Sequence, residues 1–394
     1  GVVANAQGMA PSVTLDSYDW NSDESEMSAR AATFPGEAGR IYLSNHSYGL
    51  ITGWDYGDWS GSMGPHWWGN WGEAEDRDFG RYDTSYAQDW DAICYAAPYF
   101  LPVKSSGNDR NDNAPSSGTT FYYVSGGWQS KSYVPGSDPG GDGAVNSGYD
   151  TIGRRGVAKN ILTVGAVNDA VSGGARSVAN GTMASFSGWG PTDDGRVKPD
   201  VVANGVSLYS CDDGNDSDYL SIGGTSMSTP NTAGSAALLV DYYEDRFPGQ
   251  AMRSSTLKGL ILHTADDPPS SNAGPDYAFG WGLMDTEAAA AHIRAHSLYP
   301  SANYMTEGTL NGGNPQDSFT FLWDGTSAIR ATLCWTDPPG SGQSGLDDPT
   351  LMLVNDLDLR IYGPGGAPTF FPWVLDPANP ANPATRGDNV RDNV

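Results

Sequence analysis

Apolar and polar positions follow two rhythms over residues 12–296, one of strands and one of helices. Residues 12–19 alternate apolar with polar side chains, as a strand with one buried face does. Residues 40–44, 101–105, 160–167 and 198–203 read as further strands, the second of them closing in Ser106, Gly107, Asn108 and Asp109. Between them, residues 23–32 predict a helix capped by Ser22 or Asp23, and residues 83–97 predict another. Residues 228–243, rich in Ala and Leu, form the strongest helical segment, followed by helices over 254–264 and 285–296. Strands alternating with helices predict an α/β class with a parallel sheet sandwiched by helices.

The connections carry their own signal. Residues 50–82 are dense in Gly, Trp and Asp and read as a long loop, and residues 109–156 as a polar excursion with a Gly/Pro/Asp cluster at 135–143. After about residue 300 the helical pattern stops. Residues 319–323, 328–335 and 357–362 are short β runs between turn residues, which predicts a separate all-β barrel or jelly-roll-like unit. The expected division is 1–298 for the α/β domain and 299–394 for the β unit, with no internal repeat.

Composition narrows the class. The 394 residues hold 51 Gly and 26 Pro, yet 13 Trp, 20 Tyr and 11 Phe supply enough apolar area to exclude a disordered chain. The formal net charge of −26, from 47 acidic and 21 basic residues, repels nucleic acid and anionic membranes and attracts cations such as calcium. No stretch reaches the roughly 20 apolar residues of a membrane-spanning helix, and no basic-then-apolar leader opens the chain. Cys94, Cys211 and Cys334 form neither a metal spacing nor an even disulfide framework.

The chemistry concentrates at Gly223-Gly224-Thr225-Ser226-Met227-Ser228-Thr229-Pro230. A serine hydroxyl needs a base to become a nucleophile, and a helix N-terminus favours the negative charge that develops on an attacked carbonyl. Glycines before Ser226 let a substrate backbone approach, and Pro230 is expected within the first helical turn.

This run resembles the serine motif of the subtilisin-like protease (subtilase) family. Lys104-Ser105-Ser106-Gly107-Asn108 is similar to the family's strand ending in its oxyanion-hole asparagine, which implies that role for Asn108. Ser44-Asn45-His46-Ser47-Tyr48-Gly49 resembles the family's substrate-binding strand. The resemblance therefore implies Ser226 and Asn108 as catalytic residues and Ser47, Tyr48, Gly49, Ser105, Ser106 and Gly107 as substrate-binding residues. Phe186-Ser187-Gly188-Trp189-Gly190-Pro191 and Lys198-Pro199-Asp200-Val201-Val202 match the stretch leading into the serine motif. Cys334-Trp335-Thr336-Asp337-Pro338-Pro339 and Leu353-Val354-Asn355-Asp356-Leu357-Asp358-Leu359 are similar to a β-barrel domain appended to certain bacterial alkaline subtilases that bind calcium. That implies a structural calcium ion at Asp337, Asn355, Asp356 and Asp358, against the alternative of ordinary turn chemistry.

The family order is Asp, then His, then Ser, and the first two motifs are absent here. The resemblance implies an extracellular, monomeric endopeptidase acting on polypeptides, present as a fragment cut at both ends and inactive as it stands. The alternative is a non-catalytic protein of the same fold that binds peptide or protein. None of His46, His66, His263, His292 and His296 reads as a replacement base. Trp54, Trp59, Trp67, Trp68 and Trp71 read as local packing that orders a long loop, or as a peptide or glycan surface. Asn180-Gly181-Thr182 and Asn215-Asp216-Ser217 are glycosylation sequons of the kind that occur by chance.

Overall fold

Four strands form the central parallel sheet, in the order β1 (Leu43–His46), β4 (Leu101–Ser105), β7 (Leu162–Val167) and β10 (Val201–Asn204), in a computed structural model that describes residues 3–394. Leu43 sits opposite Leu101 and His46 opposite Lys104, while Val201 to Asn204 run beside Val164 to Val167. Every residue of β4 and β7 is buried, as expected of parallel strands covered on both faces.

Helix α3 (Thr225–Arg246) packs against all four strands and against α5 (Thr286–Leu298). With α4 (Ser254–Thr264) these helices close the largest core, where Leu101, Val103, Leu162 and Val164 meet Ala236, Leu239, Ile261 and Ile293. Asp285 caps α5 by accepting the Ala288 N–H at 2.8 Å. A second core joins α1 (Asp23–Arg30) and α2 (Ala87–Ala96) through Met27, Tyr82, Trp90, Cys94 and Phe100.

The two long connections are not loops. They supply a second sheet, ordered β2 (Trp54–Gly57), β3 (Gly64–Trp67), β5 (Thr120–Val124) and β6 (Trp128–Ser132). Its core is aromatic: Trp54, Trp67, Phe121 and Tyr133 are buried against one another. Strands of four or five residues that contain Gly, Pro65 or polar runs lack the alternation that marks strands in sequence, so aromatic packing decides here. Two hairpins follow, β8 (Val171–Ser172) with β9 (Ala175–Arg176), and β11 (Leu208–Cys211) with β12 (Tyr219–Ile222). The second of them leads directly into Gly223 and Ser226.

The C-terminal expectation needs correction. Residues after 298 form no closed barrel or jelly roll, only two ladders of paired two-residue strands, β13 (Ile361–Tyr362) with β14 (Thr369–Phe370) and β15 (Trp373–Val374) with β16 (Thr385–Arg386). Residues 319–323 and 328–335 are not strands, and Phe319, Phe321, Leu322 and Trp323 are exposed, so no facing sheet covers them. The segment instead docks on the α/β domain: Met352 enters the second core, and Leu375 and Ala384 pack with Val197 and Tyr277. Residues 12–19 are likewise exposed and not a strand.

Candidate functional site

Helix α3 starts at Thr225, three residues before the sequence pattern predicts, and this changes the role of Pro230. Pro230 lies beyond the first turn and has no N–H to give the Ser226 carbonyl one turn back. The Ser47 hydroxyl takes that place, donating to the Ser226 carbonyl at 2.9 Å. In return, the Ser226 hydroxyl donates to the Ser47 carbonyl at 3.1 Å. A missing helical hydrogen bond thus becomes the link that ties the end of β1 to the serine.

Asn108 is tied to the same helix end. Its Oδ1 accepts the Thr225 N–H at 2.8 Å and the Thr225 hydroxyl at 3.0 Å. A backbone N–H can only donate, so the amide orientation is fixed by chemistry: oxygen toward Thr225, Nδ2 outward. A Cβ on Gly224 would lie 3.5 Å from Asn108 Nδ2, so glycine leaves that flank of the amide clear. Ser226 is half-buried and Asn108 exposed, so a ligand can reach both.

The remaining residues expected to bind substrate lie along the same strand ends. Ser105 ends β4 and is buried with Ser106, whose N–H bonds to the Val164 carbonyl at 3.0 Å. Gly107 has φ +104, and a Cβ there would meet the Asp109 carboxylate at 2.8 Å. Gly49 is exposed beyond the end of β1. Tyr48 turns to a network the sequence did not announce. Its hydroxyl donates to Asp23 Oδ2 at 2.7 Å, and Asp23 and Glu24 share Arg155 at 3.3 and 3.1 Å. Because the Tyr48 proton goes to Asp23, His46 Nδ1 donates to Tyr48 at 2.8 Å, and Nε2 accepts from Ser44 at 2.7 Å. Burial, reinforced by Lys104 and Arg155, pulls His46 down to about 3, so it is neutral.

Lys104, also missed, is buried in β4 and donates to the Ser105 carbonyl at 2.9 Å and hydroxyl at 2.8 Å. Burial pulls it down to about 7. A lysine inside a strand reads as an edge residue, so only the fold reveals it.

The Ser226 run, Asn108 and the segment after β1 thus converge at one helix end. The chain belongs to the subtilase family. The profile described as "Subtilase family" matches residues 1–282. The chain is 39% identical over 145 residues to the serine protease AprX of Bacillus subtilis (strain 168), covering 33% of this chain and 32% of that protein. It is 31% identical over 150 residues to subtilisin DY of Bacillus licheniformis, covering 38% of this chain and 44% of that protein. The structure of the Clostridium perfringens CspB protease overlaps 55% of this subtilase and 63% of its own chain, with a TM-score of 0.40 and 15% identity. These matches span 32% and 44% of the length of the two curated relatives.

Among the described residues, no histidine ring bonds Ser226. His66 is buried in the aromatic sheet, held by the Gly64 carbonyl at 2.8 Å and Ser60 at 2.9 Å, and stacked on Tyr122. His263 bonds Thr332 at 3.0 Å, His292 bonds the Tyr304 carbonyl at 3.0 Å, and His296 packs on Phe247.

The four residues considered for calcium are differently engaged. Asp337 is fully buried, paired with Lys159, and accepts the Val354 and Asn355 N–H groups at 2.9 and 2.8 Å, so its carboxylate is committed to cations and amides already in the fold. Asp358 pairs with Arg360 at 2.9 Å, and the Asn355 carbonyl accepts the Trp335 indole at 3.1 Å. Asp356 has its carboxyl raised by burial and then by Asp358 and Asp388. These three aspartates do not converge within ligand distance of one another.

Proposed function

We propose that this chain carries the nucleophile and oxyanion half of a secreted subtilase endopeptidase. Ser226 Oγ attacks the scissile carbonyl of a polypeptide, and its proton passes to a base that must be supplied from outside the described residues. The tetrahedral oxyanion is held by Asn108 Nδ2 and the Ser226 N–H, an amide of the first helical turn that has no carbonyl one turn back. The amine leaves with a proton from the same base, and water then resolves the acyl-enzyme on Ser226. The substrate backbone runs beside residues 47–49 and 105–107. The observation that carries this reading is the Thr225 N–H bond to Asn108 Oδ1, which aims the free amide nitrogen outward beside Ser226.

Joining the chain to a subtilase segment that bears the family's Asp and His tests it. The joined protein should hydrolyse peptides and lose that activity with Ser226→Ala. Hydrolysis that survives the substitution overturns the assignment. A second reading, a non-catalytic peptide-binding protein, is favoured by the Ser226 hydroxyl being spent on the Ser47 carbonyl. It predicts that the joined protein binds peptide without cleaving it. Secretion fits the acidic surface and the lack, among the described residues, of a helix long and apolar enough to cross a membrane.

A further inference from the structure

Five lysines stand in the chain, and four of them pair with aspartates: Lys131 with Asp138, Lys159 with Asp337, and Lys198 and Lys258 with Asp200. Lys104 is the exception. It is only 5% exposed, yet among the described residues no carboxylate lies within ion-pair distance of it. Its ammonium gives two of its three N–H groups to a single residue, the Ser105 carbonyl at 2.9 Å and the Ser105 hydroxyl at 2.8 Å. A buried charge held only by neutral oxygens is costly, and a counter-ion brought by a ligand offsets that cost.

The groups around Lys104 leave that role open. Arg155 repels it and is itself committed to Asp23 and Glu24 at 3.3 and 3.1 Å. Asp109 attracts it from beyond ion-pair distance, and burial, then Asp112 and Asp55, push the Asp109 carboxyl up to about 7. Opposite Lys104 on the neighbouring strands stand neutral His46 and uncharged Thr163.

The ammonium also lies close to the serine. Ser105 accepts from Lys104 and has a single hydroxyl proton to give, which reaches the His46 carbonyl at 3.4 Å, a long contact for a hydroxyl. His46 directly precedes Ser47, whose hydroxyl and carbonyl hold Ser226. Ser105 is thus a hydroxyl polarised by a cation, with its proton weakly used, at the strand end beside Ser226. A carboxylate suits both groups, taking the Ser105 proton and standing against the Lys104 charge. Gly49 and Gly107 put no side chain in its way.

We propose that Lys104, acting with the Ser105 hydroxyl, selects a glutamate or aspartate side chain at the substrate residue whose carbonyl Ser226 attacks. The inference rests on reading this cleft as a peptide-cleavage site. It names Lys104 as a specificity residue and acidic polypeptide segments as the substrate class.

The full chain is titrated by calorimetry with acetylated peptide amides that differ only in their last residue: Glu, Gln, Leu or Lys. At about pH 6 the Glu peptide should bind about 10-fold or more tightly than the Gln peptide, the size of one hydrogen bond to a charged group. Burial pulls Lys104 down to about 7, so its charge is lost as pH rises, and the Glu-over-Gln ratio should fall toward one by about pH 9. Lys104→Met should bring the ratio to about one at every pH. The pH series on the native chain decides the matter even without the variant. Equal binding of Glu and Gln peptides overturns the proposal, as do no peptide binding, a ratio that persists at pH 9, and a ratio unchanged in a folded Lys104→Met chain. Tightest binding of the Lys peptide also overturns it, since Asp109 would then govern the cleft. In the joined protein, cleavage should follow Glu or Asp. Cleavage after Leu or Lys instead overturns this proposal and leaves Ser226 as nucleophile. Glu-dependent binding to the chain with no cleavage by the joined protein supports this proposal and overturns the catalytic reading.

Discussion

Lys159→Met is expected to release the C-terminal segment from the α/β domain. Lys159 Nζ is fully buried and donates to the Asp337 carboxylate, to the Pro338 carbonyl at 2.6 Å and to the Met352 carbonyl at 2.7 Å. Asp337 and Lys159 are both 0% exposed at the side chain, so water cannot substitute for either partner. Met keeps most of the volume but leaves a buried carboxylate with only the Val354 and Asn355 amides. Breaking one side of a buried ion pair costs about 3–5 kcal/mol, and the two orphaned carbonyls place this case at the upper end. Urea unfolding of the full chain gives the stability change, and limited proteolysis shows whether cleavage concentrates after residue 299. Lys159→Met combined with Asp337→Leu should recover much of the loss, because the uncompensated charge is gone. A loss below about 1 kcal/mol, or a double variant as unstable as the two single losses summed, refutes the reasoning.

Asn108→Ala in the joined, base-containing protein should lower kcat about 100- to 1000-fold with KM little changed, a magnitude taken from the removal of one oxyanion donor in a subtilisin; steady-state kinetics check it. His46 is neutral when folded and titrates at about 3, while an unfolded histidine titrates near 6.5. The unfolded chain therefore takes up a proton first as pH falls, and stability present above pH 6.5 is lost progressively toward pH 3. Between pH 7.5 and 5.0 this amounts to about 2 kcal/mol, and His46→Gln should lose that much less over the same range in urea unfolding. Equal losses in both proteins would count against a buried neutral His46. Trp54→Ala, in the aromatic cluster with Trp67, Phe121 and Tyr133, should cost about 3–5 kcal/mol by the same assay.

How far the sequence reaches depends on the physics of each segment. The parallel sheet was legible because buried strands such as Leu162–Val167 and helices such as Ser254–Thr264 have periods that survive in sequence. Ser226 and Asn108 stand out in sequence through their motifs, and the fold brings the two segments together through Thr225. The aromatic sheet was hidden because Gly64-Pro65-His66-Trp67 looks like a turn and becomes a strand only when Tyr122 and Tyr123 run beside it. The C-terminal region misled in the other direction. Phe319, Phe321 and Trp323 alternate as a strand does, yet nothing covers them, so local alternation found no partner.

The most direct test of the central claim is to locate the acyl group. The joined protein is treated with a fluorophosphonate, digested, and the adduct mapped by tandem mass spectrometry. A single adduct on Ser226, formed slowly in the chain without the base and absent after Ser226→Ala, is the predicted result. Rapid labelling of the chain without a base, or an adduct on another residue with activity retained in Ser226→Ala, would contradict it.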